Sequence, residues 1–223
     1  ILHVDLNKLE KNFNYLKTKL NSKTKIIGVV KAFAYGHGDI EISKKLEKLG
    51  VYALWVSDFE EGVGLRKAGI NTKIIVANPG AKSYEKIIKY RLDVVLYNQK
   101  LFDLYCSKKN KVNVHVKFNT GMNRYGFNTD QIGAIISKLE KNNHLNLSSI
   151  CSHLATSEDP QQTNYTLAQI ENFKSISEKF ERLLNKKINK HLLNSYGVLN
   201  FSNYQFDSVR IGIGLYGSTN DNN

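Results

Sequence analysis

Cationic and hydroxyl side chains recur in this chain at the ends of short apolar runs, where strand-borne chemistry would be done. Lys31 follows the run 26–30 and opens into "KAFAYGHG", with glycines at positions 36 and 38. An amine leaving a buried strand is either solvated or held for chemistry, for instance as a Schiff-base lysine toward an aldehyde. The ends of the other runs carry Ser57, Asn78, Tyr97, Lys117, His153, the pair Asn194-Ser195, and Arg210. Lys117 and Arg124 bracket a "FNTGMN" turn that could set two cations beside one anion. After Arg210 comes "IGIGLYG", in which Gly212 and Gly214 keep side chains away and let backbone N–H groups approach a ligand. Tyr35 either packs on its loop or gives its hydroxyl to a phosphate. His153 is either a buried, satisfied histidine or part of a site, and His37 reads as a loop histidine.

The elements that must position these residues alternate. Apolar or β-branched runs at 26–30, 52–56, 74–77, 93–97, 112–118, 147–152, 190–193 and 207–210 read as strands. Between them lie helically spaced sets such as Ile42, Leu46 and Leu49, or Ile170, Phe173, Ile176 and Phe180. A first helix over 6–20 is expected, with Asp5 as its N-cap. Strands joined by helices pair in parallel through right-handed crossovers. An open doubly wound sheet and a closed barrel both satisfy that pattern. Eight runs at regular spacing favour a (β/α)8 TIM barrel, whose sites form at the C-terminal ends of the strands. Closing the barrel makes a lysine of the first strand the neighbour of a phosphate cradle built by the last two. That pairing describes a site for pyridoxal phosphate (PLP).

Composition narrows the partners. The 223 residues are 41% hydrophobic and 23% charged, as in ordinary globular proteins, and no apolar run approaches the ~20 residues of a membrane span. The net charge of +12 comes from lysines spread over polar helix faces, with no basic strip interleaved with aromatics, which speaks against a nucleic-acid partner. Cys106 and Cys151 have no metal-ligand spacing, so no metal site is expected and a reducing cytoplasm is the expected setting.

Several longer segments resemble one family. "VVKAFAYGHG" resembles the PLP-lysine motif of the alanine racemase family, usually VVKANAYGHG. "VKFNTGMNRYGF" is similar to its KxDTGMxRxG segment, "SHLA" to its histidine motif, "LNSYG" to its Asn-Ser segment and "VRIGIGLYG" to its RPGIxLYG signature. The resemblance implies an isomerase that interconverts L- and D-alanine with PLP, the D-isomer supplying peptidoglycan. It implies that Lys31 holds the cofactor covalently and serves as one of two bases. Tyr35, Ser195 with Asn194, and the backbones of Gly212 and Ile213 would hold the phosphate. Arg210 would face the pyridine nitrogen, with His153 supporting it. Arg124 would meet the substrate carboxylate, and Lys117 matches a position carbamylated in several members. Three residues depart from the motifs: Phe33 for Asn, Asn119 for Asp and Ile211 for Pro.

The family's second base is a tyrosine from a C-terminal β-domain of the partner subunit in a homodimer. Residues 218–223 are expected to begin the linker to such a domain, which makes 1–223 the barrel part of a longer enzyme, poorly active alone. Tyr97, Tyr125 and Tyr216 are the nearest internal substitutes. An alternative remains: a single-domain PLP carrier without turnover.

Overall fold

The computed structural model describes residues 3–218; the expected linker therefore falls, apart from Ser218, outside the described residues. Eight strands close into one parallel barrel in sequence order: β1 (Lys25–Val29), β2 (Ala53–Val56), β3 (Lys73–Val76), β4 (Asp93–Leu96), β5 (Val112–Lys117), β6 (Leu145–Cys151), β7 (Asn189–His191) and β8 (Ser208–Ile211). Closure is made by β8 against β1, in a register that sets Ile27 beside Arg210. The eight expected strands are all present, with ends displaced by one or two residues.

The helices are α1 (Leu6–Thr18), α2 (Lys31–Tyr35), α3 (Asp39–Lys48), α4 (Phe59–Lys67), α5 (Tyr84–Lys89), α6 (Gln99–Cys106), α7 (Ile132–Lys141), α8 (Thr163–Leu184) and α9 (Ser195–Asn200). The Asp5 carboxylate caps α1 as expected, accepting from the backbone N–H groups of Asn7 and Lys8. Helices α4 and α6 start the same way, from Asp58 and Asn98. The main core lies between sheet and helices and includes Ile42, Leu46, Leu65, Phe102, Phe173 and Phe180. No helix among the described residues is long and apolar enough to cross a membrane.

The lumen is divided. On the side of the first four strands it is filled by Ile27, Ala53, Ile75 and Val95, with Trp55 and Tyr97 packed above. From β4 onward it is polar: Asp93, His115, Ser149, His191 and Arg210 are all buried there. A register shift in the β5–β6 pair contributes to this. Val114 faces Leu147, yet His115 faces Ser149, so one residue of β6 is skipped and Ser149 is brought to His115.

Candidate active site

A cavity of about 520 Å³ opens at the C-terminal rim of the barrel. Lys31, Tyr35, Lys117, Arg124, His153, Asn194, Ser195, Arg210, Gly212 and Ile213 all line it, so the residues to which the family resemblance gives a role reach one place, whereas Gly214, His37 and Tyr216 are not in its lining. Trp55, Tyr125, Cys151 and Tyr196 line it too.

Lys31 is aimed by an uncommon piece of backbone. Immediately after it, Ala32, Phe33, Ala34 and Tyr35 all take left-handed conformations, with φ between 52° and 55°. For residues with a Cβ this costs roughly 1 kcal/mol or more each, so the turn must be held from outside. Glu61 of α4 holds it: its carboxylate accepts from the backbone N–H of Ala32 at 2.7 Å and of Ser57 at 2.6 Å. Tyr216 donates its hydroxyl to the carbonyl of Val29 at 3.0 Å, and its ring stacks on His37 at 4.7 Å. Phe33, the departure from the family motif, is 62% exposed and stands away from the cavity lining.

The opposite wall is a cradle made by close approach. A Cβ added at Gly212 would lie 2.5 Å from the Tyr35 hydroxyl oxygen and 3.3 Å from Val29 Cβ. Only glycine leaves the Tyr35 hydroxyl beside this backbone. Ser195 Oγ accepts from the N–H groups of Gly212 at 3.0 Å and Gly214 at 3.1 Å, which leaves its own hydroxyl hydrogen to donate elsewhere. Burial pushes the Tyr35 hydroxyl's pKa up, so it stays a donor at neutral pH.

Arg210 occupies the floor. Its terminal nitrogens donate to His191 Nδ1, the His191 carbonyl at 3.1 Å, the Ser152 carbonyl, His153 Nδ1 at 3.1 Å and the Leu192 carbonyl at 3.1 Å. Among the described residues its Nε–H meets no protein acceptor. The guanidinium also lies over the Trp55 ring, 5.2 Å from the centroid. Burial, then the neighbouring charges of Arg210 and Lys117, hold His153 well below the usual histidine pKa; it is neutral, and its Nδ1 lone pair serves Arg210.

Lys117 is the electrostatic exception. Burial, reinforced by Arg210, Arg124 and Lys31, draws its pKa down to about 8. Its ammonium and the Arg124 guanidinium lie 5.7 and 5.9 Å from the Tyr125 ring centroid. The Arg124 turn is folded back by Phe127 N–H to the Lys117 carbonyl, 2.8 Å, and Asn119 N–H to the Phe127 carbonyl, 2.9 Å. This fold needs a glycine at 126, where φ is +132° and a Cβ would lie 2.5 Å from the Asn119 nitrogen.

His191 and Trp55 escaped the sequence reading. Both lie inside apolar runs rather than at their ends, so strand-end position gives no signal for them. His37 is a loop histidine as expected, its Nδ1 3.0 Å from the Ala34 carbonyl.

Fold and site together define a parallel (β/α)8 barrel with a cationic ligand cavity at its C-terminal rim. Residues 4–220 match the family described as "Alanine racemase, N-terminal domain", and the chain belongs to that family. It is 37% identical to the alanine racemase of Fusobacterium nucleatum over 97% of this chain and 61% of the relative. Alanine racemase 1 of Bacillus subtilis is 32% identical over 96% of this chain and 55% of its own length. Among solved structures, alanine racemase of Clostridium difficile superposes with a TM-score of 0.90 at 32% identity, over 97% of this chain and 58% of that one. The enzyme of Bacillus anthracis, solved with bound L-Ala-P, gives 0.89 at 25% identity, over 98% and 58%. The chain thus spans about three fifths of the length of the relatives it matches.

Proposed function

We propose that this barrel is the PLP-binding part of an alanine racemase that supplies D-alanine for peptidoglycan, with Lys31 as the residue that holds the cofactor. The observation that carries the reading is the cradle opposite Lys31. Gly212 has no room for a Cβ beside the Tyr35 hydroxyl, and the Ser195 hydroxyl and glycine backbone converge on the same spot. The Tyr35 and Ser195 hydroxyls are donors suited to a phosphate. On the floor, the Nε–H of Arg210 meets no acceptor among the described residues and suits the pyridine nitrogen. The residues present fit the cofactor.

When bound, PLP supplies the electron sink that acidifies the amino acid's Cα–H. Lys31 would hold the cofactor and, as a free amine, would take or return that proton on one face. Arg210 can only donate, so it would meet the pyridine nitrogen as an acceptor and would restrain electron withdrawal, which would favour proton return over transamination. Arg124 provides the cation for the substrate carboxylate. A carrier of PLP has no use for that second cation or for Lys117, which favours the racemase reading over simple storage.

Lys117 is suited to carbamylation. Its low pKa leaves a sizeable neutral fraction near pH 8, and R–NH2 + CO2 gives R–NH–COO− + H+. The product carbamate would turn a fourth cation in the cavity into an anion able to orient Arg124. A bicarbonate-dependent carbon-13 carbamate signal, lost in Lys117→Met, is the expected outcome; its absence at saturating bicarbonate would contradict this step.

Racemisation needs a second acid–base group on the other face. Tyr216 is committed to the Val29 carbonyl, and burial raises its pKa far above the ordinary value. The hydroxyl of Tyr97 donates to Asn78 Oδ1 at 2.6 Å, and Tyr125 packs against its ring at a 49° tilt. The family's tyrosine from a partner subunit's C-terminal domain is the group we assign to this role, in a cytoplasmic homodimer. An L/D-alanine exchange assay with PLP tests it. The 223-residue chain alone should be slower by roughly 10²–10⁴ than the same barrel joined to the remainder of the Fusobacterium nucleatum relative. Equal rates would overturn the assignment.

A further inference from the structure

Arg210 is buried with no carboxylate among its acceptors; the five it has among the described residues are all neutral. Burying a guanidinium in this way is costly unless its surroundings are polarised in its favour. One of those acceptors leads somewhere. His191 Nδ1 takes the Arg210 bond, and His191 Nε2 lies 3.0 Å from Ser149 Oγ. Ser149 Oγ lies 2.6 Å from His115 Nδ1, and His115 Nε2 lies 3.5 Å from Asp93 Oδ2. Asp93 begins β4, at the opposite end of the lumen from the cavity, and its other oxygen accepts from Asn113 Nδ2 at 2.9 Å.

With both histidines neutral, the two ends of this chain fix everything between them. A guanidinium only donates and a carboxylate only accepts. His191 must therefore offer its Nδ1 lone pair to Arg210 and carry its hydrogen on Nε2. That hydrogen goes to Ser149, whose single hydroxyl hydrogen is then sent to His115 Nδ1. His115 in turn carries its hydrogen on Nε2, toward Asp93. Every link donates in the same direction, from Arg210 to Asp93. Reversing any one link between neutral rings would set N–H against N–H or leave two lone pairs facing each other at a buried site. Aligned links polarise one another, so the Asp93 charge is felt at His191 more strongly than distance alone allows.

The strand geometry serves this arrangement. The register shift between β5 and β6 sets Ser149 beside His115, with both side chains in the lumen.

We propose that Asp93 is a positioning residue for Arg210, acting along the barrel lumen through the one-way chain His115–Ser149–His191. The chain pins the terminal nitrogens of Arg210 and so fixes where its Nε–H points in the cavity. Its value for the chemistry rests on the cofactor reading above; the chain itself does not.

The experiment uses histidine-¹⁵N-labelled protein, first without PLP. In the wild type, His115 and His191 should both give the neutral Nε2–H pattern. Asp93→Asn, which keeps the shape and removes the charge, should shift the ring nitrogens of His191 although the two residues do not touch. Ser149→Ala should shift them as well, and in that background Asp93→Asn should add nothing further at His191. A second readout follows with PLP added: the visible absorption band of the bound cofactor should move in Asp93→Asn and fail to move further in the double variant. Finding His115 with its hydrogen on Nδ1 would overturn the proposal. So would an Asp93→Asn shift at His191 that is equally large without the Ser149 hydroxyl, since that is a through-space field rather than a chain. If the histidine pattern is as described and no variant, wild type included, forms an absorbing complex with PLP, the chain stands and the cofactor reading fails.

Discussion

Lys117 shows what a ligand cavity costs the fold that carries it. Its pKa in the folded protein is about 8 against an ordinary 10.5, so folding there favours the neutral amine. Below pH 8 the folded state holds a buried ammonium that the unfolded chain would solvate, and stability rises as pH climbs from 8 toward 10.5. In CO2-free buffer, Lys117→Met should stabilise the barrel at pH 7 by up to about 3 kcal/mol, with the gain fading above pH 8. Urea unfolding of both proteins across that pH range checks it, and a destabilised variant would contradict the electrostatic account. Gly212→Ala tests the opposite wall. Its methyl group would displace the Tyr35 hydroxyl, weakening PLP binding at least about tenfold with little change in the unfolding midpoint. Absorbance titration reads the affinity, and unchanged binding would remove Gly212 from the cradle. Residues of this kind were legible in the sequence because a charged or hydroxyl side chain ending an apolar run breaks the pattern around it. His191 and Trp55 break no pattern. Their inward direction depends on strand register, which composition and spacing do not carry.

The turn after Lys31 is the element on which the site depends most. "KAFAY" contains no glycine, so nothing in its residue types announces four successive left-handed conformations. The handedness is imposed by tertiary contacts, chiefly the Glu61 carboxylate and the buried Ala34 methyl. Phe33→Gly should therefore stabilise the protein by roughly 0.5–1 kcal/mol, because an exposed side chain is lost and a strained φ is relieved. Denaturant unfolding decides, and a loss of stability would mean that Phe33 is packed in solution. Strand existence was legible from apolar runs, and Asp5 announced the start of α1 by its type and place. Strand ends moved by a residue or two where the ladder pairs beyond the apolar run, as Leu145 and Asn146 do at the start of β6. The skipped residue in β6 left no trace in a segment where serines occupy both 148 and 149.

At the scale of the whole molecule, closure of the barrel is what turns scattered motifs into a site. β1 and β8 are separated by nearly the entire chain, yet Ile27 pairs with Arg210, and Tyr35 of the turn carrying Lys31 meets Gly212 after β8. The count of eight runs made the architecture readable before any contact was known. The net charge of +12 has its local counterpart in the cavity, where Lys31, Lys117, Arg124 and Arg210 all face one space. Such a field suits an anionic cofactor and a carboxylate substrate. The central claim is that one lysine among many holds PLP, and reductive trapping tests it most directly. The protein is incubated with PLP, reduced with borohydride, digested and mapped. A single pyridoxyl label on the Lys31 peptide, abolished in Lys31→Ala, is the result expected. Label on Lys117, or spread over the exposed lysines in proportion to their accessibility, would contradict the account.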